Sequence, residues 1–324
     1  MKSVNFKHWN TKIDFVKHRK KFFIASTSFI LVGIILLMTV GLNLGIDFRS
    51  GTTIDILADE PVTEEEVMSE FEAVGYIPDD LTLAGDANEI GRAQFIGDLD
   101  QAETLEIQDH FAEVYGNVPT VSTVTPIVGE ELARNAVISV LIASFGIILY
   151  VTFRFELLYG ISAIVALFHD ALLILIVFSI LQMEVNIPFI AAVLTIVGYS
   201  INDTIVTFDR IRENMSYEKK IKGFEDVARV VNKSLIQTLA RSINTVLTVV
   251  FAAGALLIFG GEGLRTFSLA LVVGLVAGTY SSLFIAAQVF LELKTRQIKK
   301  LEEKRIKELQ EQEEQAQKAE TTSP

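Results

Sequence analysis

The fold is indicated by residues 190–214, which read IAAVLTIVGYSINDTIVTFDRIREN. The first part is apolar enough for a membrane-spanning helix, and the end is charged enough to face water. Between the two parts, Asp203 stands beside Asn202 and Thr204. A carboxylate inside a lipid-buried helix costs at least ~2.5 kcal/mol, so such a residue normally faces protein or water and has a function. This stretch therefore predicts a membrane span that carries a functional acid.

The composition of the whole chain is that of a polytopic membrane protein. Of its 324 residues, 50% are hydrophobic, and they occur in long blocks. The formal net charge is −12, but the two signs are segregated along the chain. The chain has no cysteine, which excludes disulfides, thiol catalysis and cysteine-ligated metals. Its 4 histidines show no metal-ligand spacing, so no histidine metal site is expected.

The apolar blocks predict a polytopic α-helical protein with six transmembrane helices. They are residues 22–42, 132–153, 157–181, 188–210, 242–259 and 266–291, so helices 2–6 occupy residues 132–291. The first block follows a basic segment, residues 1–21, and no cleavage site follows it, so it predicts an uncleaved anchor. The positive-inside rule then places both termini and a basic loop at residues 210–241 in the cytoplasm. The charged tail at residues 292–324 is expected to be a cytoplasmic helix that frays into disorder.

A water-facing domain is predicted between the first two spans, at residues 43–131. It has roughly 20 Asp and Glu residues, which by the charge rule places it outside the cytoplasm. Its pattern reads β-α-β-β-α-β, which predicts a small α+β ferredoxin-like extracytoplasmic domain. Thr63 and Glu66 have the spacing of a capping box at the start of the first of its helices. Its acidity fits a solvated surface in a salty habitat, with an acidic binding face as the alternative.

Four more polar groups fall in or beside the predicted spans. His169 and Asp170 lie near the middle of the third span, and Arg241 begins the fifth, with Asn244 one turn later. Simpler interpretations remain open for two of them, since Arg241 also fits an interfacial arginine and Asp170 a structural hydrogen-bond partner. Asp209 and Arg210, at the water boundary, are expected to be interfacial.

Asp203 and Arg241 together suggest an ion-responsive pair. Poor hydration favours the protonated form of a carboxylate, and a nearby guanidinium favours the ionised form. Such a pair would take up a proton when apart and release it when together, which would couple protonation to helix movement. Gly198, Gly254, Gly274 and Gly278 are expected to allow close helix contacts, and the last two form a G-x-x-x-G pattern.

Several motifs resemble the SecD/SecF family of protein-export membrane proteins. The segment Gly45-Ile-Asp47-Phe48-Arg-Ser50-Gly51 resembles the family signature G-I-D-F-x-G-G, with Ser50 where the family often has glycine, a change expected to affect only the local turn. Residues 198–214 resemble the SecF version of the fourth-span motif very closely. Residues 241–245, Arg-Ser-Ile-Asn-Thr, match the family's entry to the fifth span. The order of one span, an outer domain and five spans is also that of the family.

The resemblance implies a non-enzymatic subunit of the bacterial protein-export machinery, related to the resistance-nodulation-division transporters. Its expected partners are a separate SecD chain, the SecYEG channel, YajC, YidC and unfolded preprotein, with no nucleic acid. No cofactor is implied beyond a coupling ion, either H⁺ or Na⁺. The implied ion relay consists of Asp203 and Arg241, with Asp170, Asn202 and Thr204 beside them. The motif residues carried over from the family are Gly45, Asp47, Phe48, Gly51, Gly198, Asp209 and Arg210.

Two alternatives of a different class remain. An intramembrane aspartyl protease would use Asp170 and Asp203 as a dyad that shares a proton, but the G-x-G-D context is missing. A non-catalytic scaffold would use the same polar groups only to hold helices together.

Overall fold

The computed structural model describes residues 14–49, 51–85, 88–97, 99–218 and 221–321. Most of the predicted basic N-terminal segment, together with Ser50 and the last residues of the tail, therefore lies outside the described residues. The chain starts with α1 (Arg19–Thr39) and the short α2 (Ile46–Arg49). The outer domain follows as β1 (Gly51–Leu57), α3 (Glu64–Ala73), β2 (Asp80–Ala84), β3 (Ile90–Ile96), α4 (Gln101–Tyr115) and β4 (Thr120–Val124). The remaining helices are α5 (Pro126–Arg154), α6 (Leu157–Leu181), α7 (Ile187–Tyr217), α8 (Phe224–Phe259), α9 (Glu262–Ser281), a π-helical segment (Ser282–Ala286) and α10 (Ala287–Thr321).

Within the part of the chain that the structure describes, six helical stretches are long and apolar enough to cross a membrane. Five are α1, α5, α6, α7 and α8, and the sixth runs through α9, the π-helical segment and α10. Large apolar side chains point outward from them, such as Met38 at 83% exposure and Phe153 at 85%. Exposure on this scale suits a lipid surround rather than water. The prediction of a polytopic α-helical membrane protein is confirmed.

Helices α7 and α8 extend beyond their predicted spans, as α5 does at its start. Helices α7 and α8 continue towards each other until only residues 218–223 separate them, so most of the segment predicted as a basic loop is helical. Apolar side chains in the extensions, including Ile211 and Val231, are fully buried. Ion pairs between residues one turn apart, such as Arg210 with Glu213 at 2.5 Å, lie on the solvent-exposed side of the extensions. The charged residues indicate where the chain is expected to leave the membrane. The amphipathic pattern beyond that point explains why both helices continue.

The outer domain is built on a four-stranded sheet in the order β2-β3-β1-β4. All three strand pairs are antiparallel. Helices α3 and α4 bury Phe71 and Phe111 in one core with Ile54 of β1. The predicted capping box is confirmed, because the Thr63 side chain accepts from the Glu66 N–H and the Glu66 side chain accepts from the Thr63 N–H. The element order β-α-β-β-α-β is the one predicted.

Helices α7 and α9 approach closely at two glycines. A Cβ atom at Gly274 would overlap the Ile196 side chain, and one at Gly278 would lie 3.1 Å from Ser200 Cβ. The expected close contacts are therefore present at these two positions. At Gly198 and Gly254, no described atom lies within 4 Å of the point that a Cβ atom would occupy, so within this chain these two glycines make no such contact.

Candidate functional site

Asp203 is held by one hydrogen bond and has one unpaired oxygen. Ser242 Oγ, at the point where α8 enters the predicted span, donates to Asp203 Oδ1 at 2.5 Å. Among the described residues, no donor makes a hydrogen bond to Asp203 Oδ2, which is buried. A buried oxygen without a donor is rare because leaving a polar group unpaired costs about 1–3 kcal/mol. This oxygen is the site's available binding atom.

Arg241 stands apart from the carboxylate. It is exposed, and within the described part of the chain no ion pair joins it to Asp203, although its charge acts on that carboxylate. The covalent neighbour of Arg241, Ser242, makes the direct contact instead. Arg241 therefore lies close enough for its charge to act on Asp203, but the described residues show no ion pair between the two.

A cavity of about 20 Å³ adjoins the carboxylate. Its lining comes from α7, α8 and α9 and consists of Tyr199, Ser200, Asn202, Asp203, Thr245, Val246, Leu275, Gly278 and Thr279. This volume is enough for about one water molecule. Asn202 lies on the exposed side of α7, so the cavity lies between the Asp203 carboxylate and the exposed lateral surface of the bundle.

Asp170 forms a separate, fully buried cluster. It is 1% exposed, and its Oδ2 accepts from Ser200 Oγ at 2.5 Å and from Ser281 Oγ at 2.8 Å. Its Oδ1 lies 3.2 Å from His169 Nδ1. The other ring nitrogen, His169 Nε2, lies 2.5 Å from Ser26 Oγ on α1. Polar side chains of four helical stretches therefore meet around this one carboxyl group.

Two adjacent serines lie where α9 passes into the π-helical segment, one bonded to Asp170 and the other to the residue after Asp203. Ser281 donates to Asp170, and Ser282 exchanges a hydrogen bond of 2.8 Å with Thr204 Oγ1. A π-helical turn inside an α-helix is rare and is found frequently at functional sites. Thr204 contacts Ser282 at this point, and its place in the ion relay stays a prediction.

Asp170 and Asp203 do not form a dyad in this arrangement. Among the described residues no hydrogen bond joins them, and each accepts from different serine hydroxyls. An aspartyl protease needs two carboxyl groups close enough to share a proton. The geometry gives the protease alternative no support.

The predicted motif residues after α1 lie at the end of the bundle that adjoins the sheet domain. Asp47 Oδ2 accepts from the N–H of Ile187, the first residue of α7, at 2.9 Å. Phe48 packs against the outer part of the helical core. A Cβ atom at Gly51, where φ is +159°, would overlap the Phe95 carbonyl oxygen, so β1 can pair with β3 here only through a glycine.

Asp209 and Arg210 occupy the other end of α7 and make surface contacts. Asp209 pairs with Arg212 at 2.6 Å, and Arg210 donates to Gln237 at 2.7 Å. Both lie away from Asp203, in keeping with the interfacial role predicted for them.

Sequence reasoning missed the hydroxyl groups that surround the carboxylates. Ser26, Ser281 and Ser282 were not singled out, and Ser200 and Ser242 were included only as parts of motifs. A signal was present, since two consecutive serines in an apolar span are unusual. Small hydroxyl side chains are nevertheless common between packed membrane helices, so the sequence alone does not separate these from ordinary packing residues.

Comparison with known proteins identifies the chain's relatives. The family model described as protein export membrane protein SecD/SecF, C-terminal, matches residues 106–296, and the SecD/SecF GG motif matches residues 35–62. Protein translocase subunit SecDF of Bacillus subtilis is 52% identical over 289 residues, and protein translocase subunit SecF of Alicyclobacillus acidocaldarius is 41% identical over 295 residues. Each alignment covers 89% of this chain.

The shape agrees with a solved relative. The crystal structure of SecDF from Thermus thermophilus, described as a translocon-associated membrane protein, matches 87% of this chain with a TM-score of 0.77 and 35% identity. This chain spans 38% of that protein and 39% of the Bacillus subtilis SecDF, but 95% of the Alicyclobacillus acidocaldarius SecF.

Proposed function

The chain belongs to the SecD/SecF family of protein-export membrane proteins, and from this premise we propose that it is the SecF subunit of a protein translocase. In this proposal it joins SecD and uses a proton or sodium gradient to promote preprotein translocation through the SecYEG channel. Its match to nearly the full length of a SecF supports the subunit assignment. SecD as partner is supported by the SecDF relatives, in which the matched part is a minority of a longer chain.

The observation that carries the proposal is the environment of Asp203. One oxygen accepts a hydrogen bond from Ser242, and the other is buried and accepts none from the described residues. A cavity that fits about one water molecule adjoins them. A carboxylate in this state gains a partner whenever it binds a proton or a small cation. Arg241 would displace that cation by approaching, because two positive charges compete for one carboxylate. Asp170, with Ser281 and Ser282 between the two acids, would act as the third member of the relay.

The remaining assignments follow from the same proposal. The chain would lie in the bacterial cytoplasmic membrane with both termini in the cytoplasm and the sheet domain outside, following the distribution of Lys and Arg. YajC, YidC and unfolded preprotein would be further partners of the assembly. The outer domain is assigned to the ferredoxin-like class, on the basis of its element order and its antiparallel strand order.

The proposal is tested by export into membrane vesicles that hold an imposed ion gradient. Asp203→Asn keeps the shape of the side chain but removes its charge, so gradient-stimulated translocation is expected to fall to the level without a gradient. Asp209→Asn, an equally conservative change at the exposed end of the same helix, serves as the matched control and is expected to leave export near the wild-type level. Wild-type stimulation in the Asp203→Asn variant would leave the scaffold as the better explanation.

The coupling ion is identified in the same vesicles. A proton gradient and a sodium gradient are imposed separately, and the one that stimulates export in the wild type and fails in Asp203→Asn is the coupling gradient. Stimulation that survives in the variant under both gradients would remove Asp203 from the relay.

A further inference from the structure

The outer domain is attached to the membrane bundle by a compact contact, which we call the outer joint. It consists of residues 43–47 after α1, residues 182–187 between α6 and α7, and Gln94 of β3. The first two segments pair in parallel, since the Gly45 N–H donates to the Val185 carbonyl at 2.9 Å and the Val185 N–H to the Asn43 carbonyl at 2.7 Å. The linker to the outer domain is therefore bonded to the loop that precedes α7.

Asp47 connects the outer joint to the first residue of α7. Its carboxylate accepts from the free N–H of Ile187 at the helix start, as Asn186 does for Phe189 at 3.1 Å. A carboxylate in this position both satisfies an unpaired N–H and meets the positive end of the helix dipole. Because α7 also carries Asp203, the same helix connects the candidate ion site with the outer joint.

Glu184 is the buried acid inside this joint. Its carboxyl oxygen occupies the space that a Cβ atom would take at Gly45, which explains why the linker needs glycine there. Gln94 of β3 lies beside the same carboxyl group and interacts with it. Glu184 thus contacts both the linker and the sheet of the outer domain.

Few charges near Glu184 favour its ionised form. Burial raises its pKa above the ordinary value, the hydrogen bond from Gln94 opposes this, and the charges of Asp47 on α2 and Asp80 on β2 raise it further. Arg92 on β3 lowers it, but both arms of that guanidinium are engaged by Asp55 at 2.7 and 2.9 Å. The charges that act on Glu184 are therefore two carboxylates and one cation that is already paired with Asp55. Arg49 of α2 also lines this side of the joint, beside Asp79 and Asp80.

We propose that Glu184 is a proton-responsive latch that holds the outer domain on the bundle when neutral and loosens it when ionised. A carboxyl group whose pKa is raised in the docked state stabilises docking at low pH, and this contribution is lost as the pH rises through the raised pKa. Acidity on the outer side would therefore favour the docked domain. The assignment of this side as external rests on the proposed function, whereas the latch itself requires no export activity.

The latch is tested by measuring the position of the outer domain in the full chain. The chain lacks cysteine, so spin labels can be placed only at Asp109→Cys on α4 and Leu181→Cys at the end of α6, both exposed positions. In nanodiscs, pulsed electron resonance at about pH 5 and about pH 8, both above the ordinary pKa of a glutamate, gives the distance distribution. The wild type is expected to show one narrow distribution at the lower pH and a several-fold smaller docked fraction at the higher pH.

Variants decide which group is responsible. Glu184→Gln imitates the neutral form, so its docked distribution is expected at both pH values, whereas Glu72→Gln, an exposed acid on α3, should behave as the wild type. A wild-type distribution independent of pH, or a pH dependence that survives in Glu184→Gln, would overturn the latch. Asp203→Asn is expected to retain the pH-dependent distances, so failure of the latch and failure of the proposed function give different results.

Discussion

At the scale of single residues, the two intramembrane acids differ in how completely they are satisfied. Asp170 accepts from Ser200 and Ser281 and is almost fully buried. Among the described residues, Asp203 has one hydrogen-bond donor, Ser242, and its Oδ2 atom has none. Complete satisfaction in a buried network stabilises one arrangement, whereas a free oxygen leaves capacity for a ligand. Asp170 therefore has the stronger structural role, and Asp203 the greater capacity to bind a cation.

This difference predicts a stability effect at Asp170. Asp170→Leu removes the acceptor of two buried hydroxyl groups, and a buried donor without its partner costs about 1–3 kcal/mol. We expect a lower Tm in detergent, measured by circular dichroism, and a smaller decrease for Asp170→Asn, whose amide oxygen still accepts. Asp209→Leu, at an exposed position, is the control and should change Tm little. Equal Tm values for the two Asp170 variants would argue against the serine contacts as the cause.

At the scale of elements, the site depends on how closely α7 approaches α9. Ser200 and Thr204 on α7 meet Ser281 and Ser282, which directly follow one another where α9 becomes π-helical. Gly274 permits this approach, since any side chain there would overlap Ile196. The spacing of these two helices therefore sets both the packing and the hydroxyl contacts.

Gly274→Ala is expected to destabilise the bundle. The added methyl group would force Ile196 or the helix to move, and overpacking of this kind costs about 1–3 kcal/mol. Gly254→Ala is the matched control, because no described atom lies within 4 Å of its new Cβ and alanine favours a helix over glycine by roughly 0.5–1 kcal/mol. We expect a lower Tm for the first variant and an unchanged or higher Tm for the second. A stable Gly274→Ala protein would mean that α9 can shift without loss.

At the scale of the whole molecule, the chain contains two separately cored parts. The outer domain has its own buried cluster, including Ile54, Phe71 and Phe111. It contacts the bundle at the outer joint, and it continues from β4 directly into α5. A part with its own core and capped helices is expected to fold alone, which would allow it to move as a unit.

A fragment of residues 51–124 tests this independence. We expect a cooperative urea transition monitored by circular dichroism. Phe111→Ala is expected to abolish it, because such a truncation costs about 3–5 kcal/mol, close to the whole stability of a domain this small. Val118→Ala, at a position that is 70% exposed, should leave the transition in place. A soluble fragment without any cooperative transition would show that the domain depends on the bundle.

Features with local causes could be predicted from the sequence. The six spans follow from runs of apolar residues, and the capping box at Thr63 and Glu66 follows from their spacing of three residues. The β-α-β-β-α-β order follows from alternation and helical periodicity in short segments. The predicted end of α7 is too early and the predicted start of α8 too late, because charged residues do not end these helices. Ile211 and Val231 remain buried in the two extensions.

The sequence by itself determined that this is a multi-span membrane protein with an acid in its fourth span and a small domain after its first. Only the tertiary structure decided which groups meet that acid and its neighbours. Ser281 reaches Asp170 across 111 positions of sequence, and Glu184 reaches Gln94 between the bundle and the sheet. The physical reason is that spans and caps depend on neighbouring residues, whereas these contacts depend on the rotation and spacing of packed elements, which hydrophobic pattern does not specify.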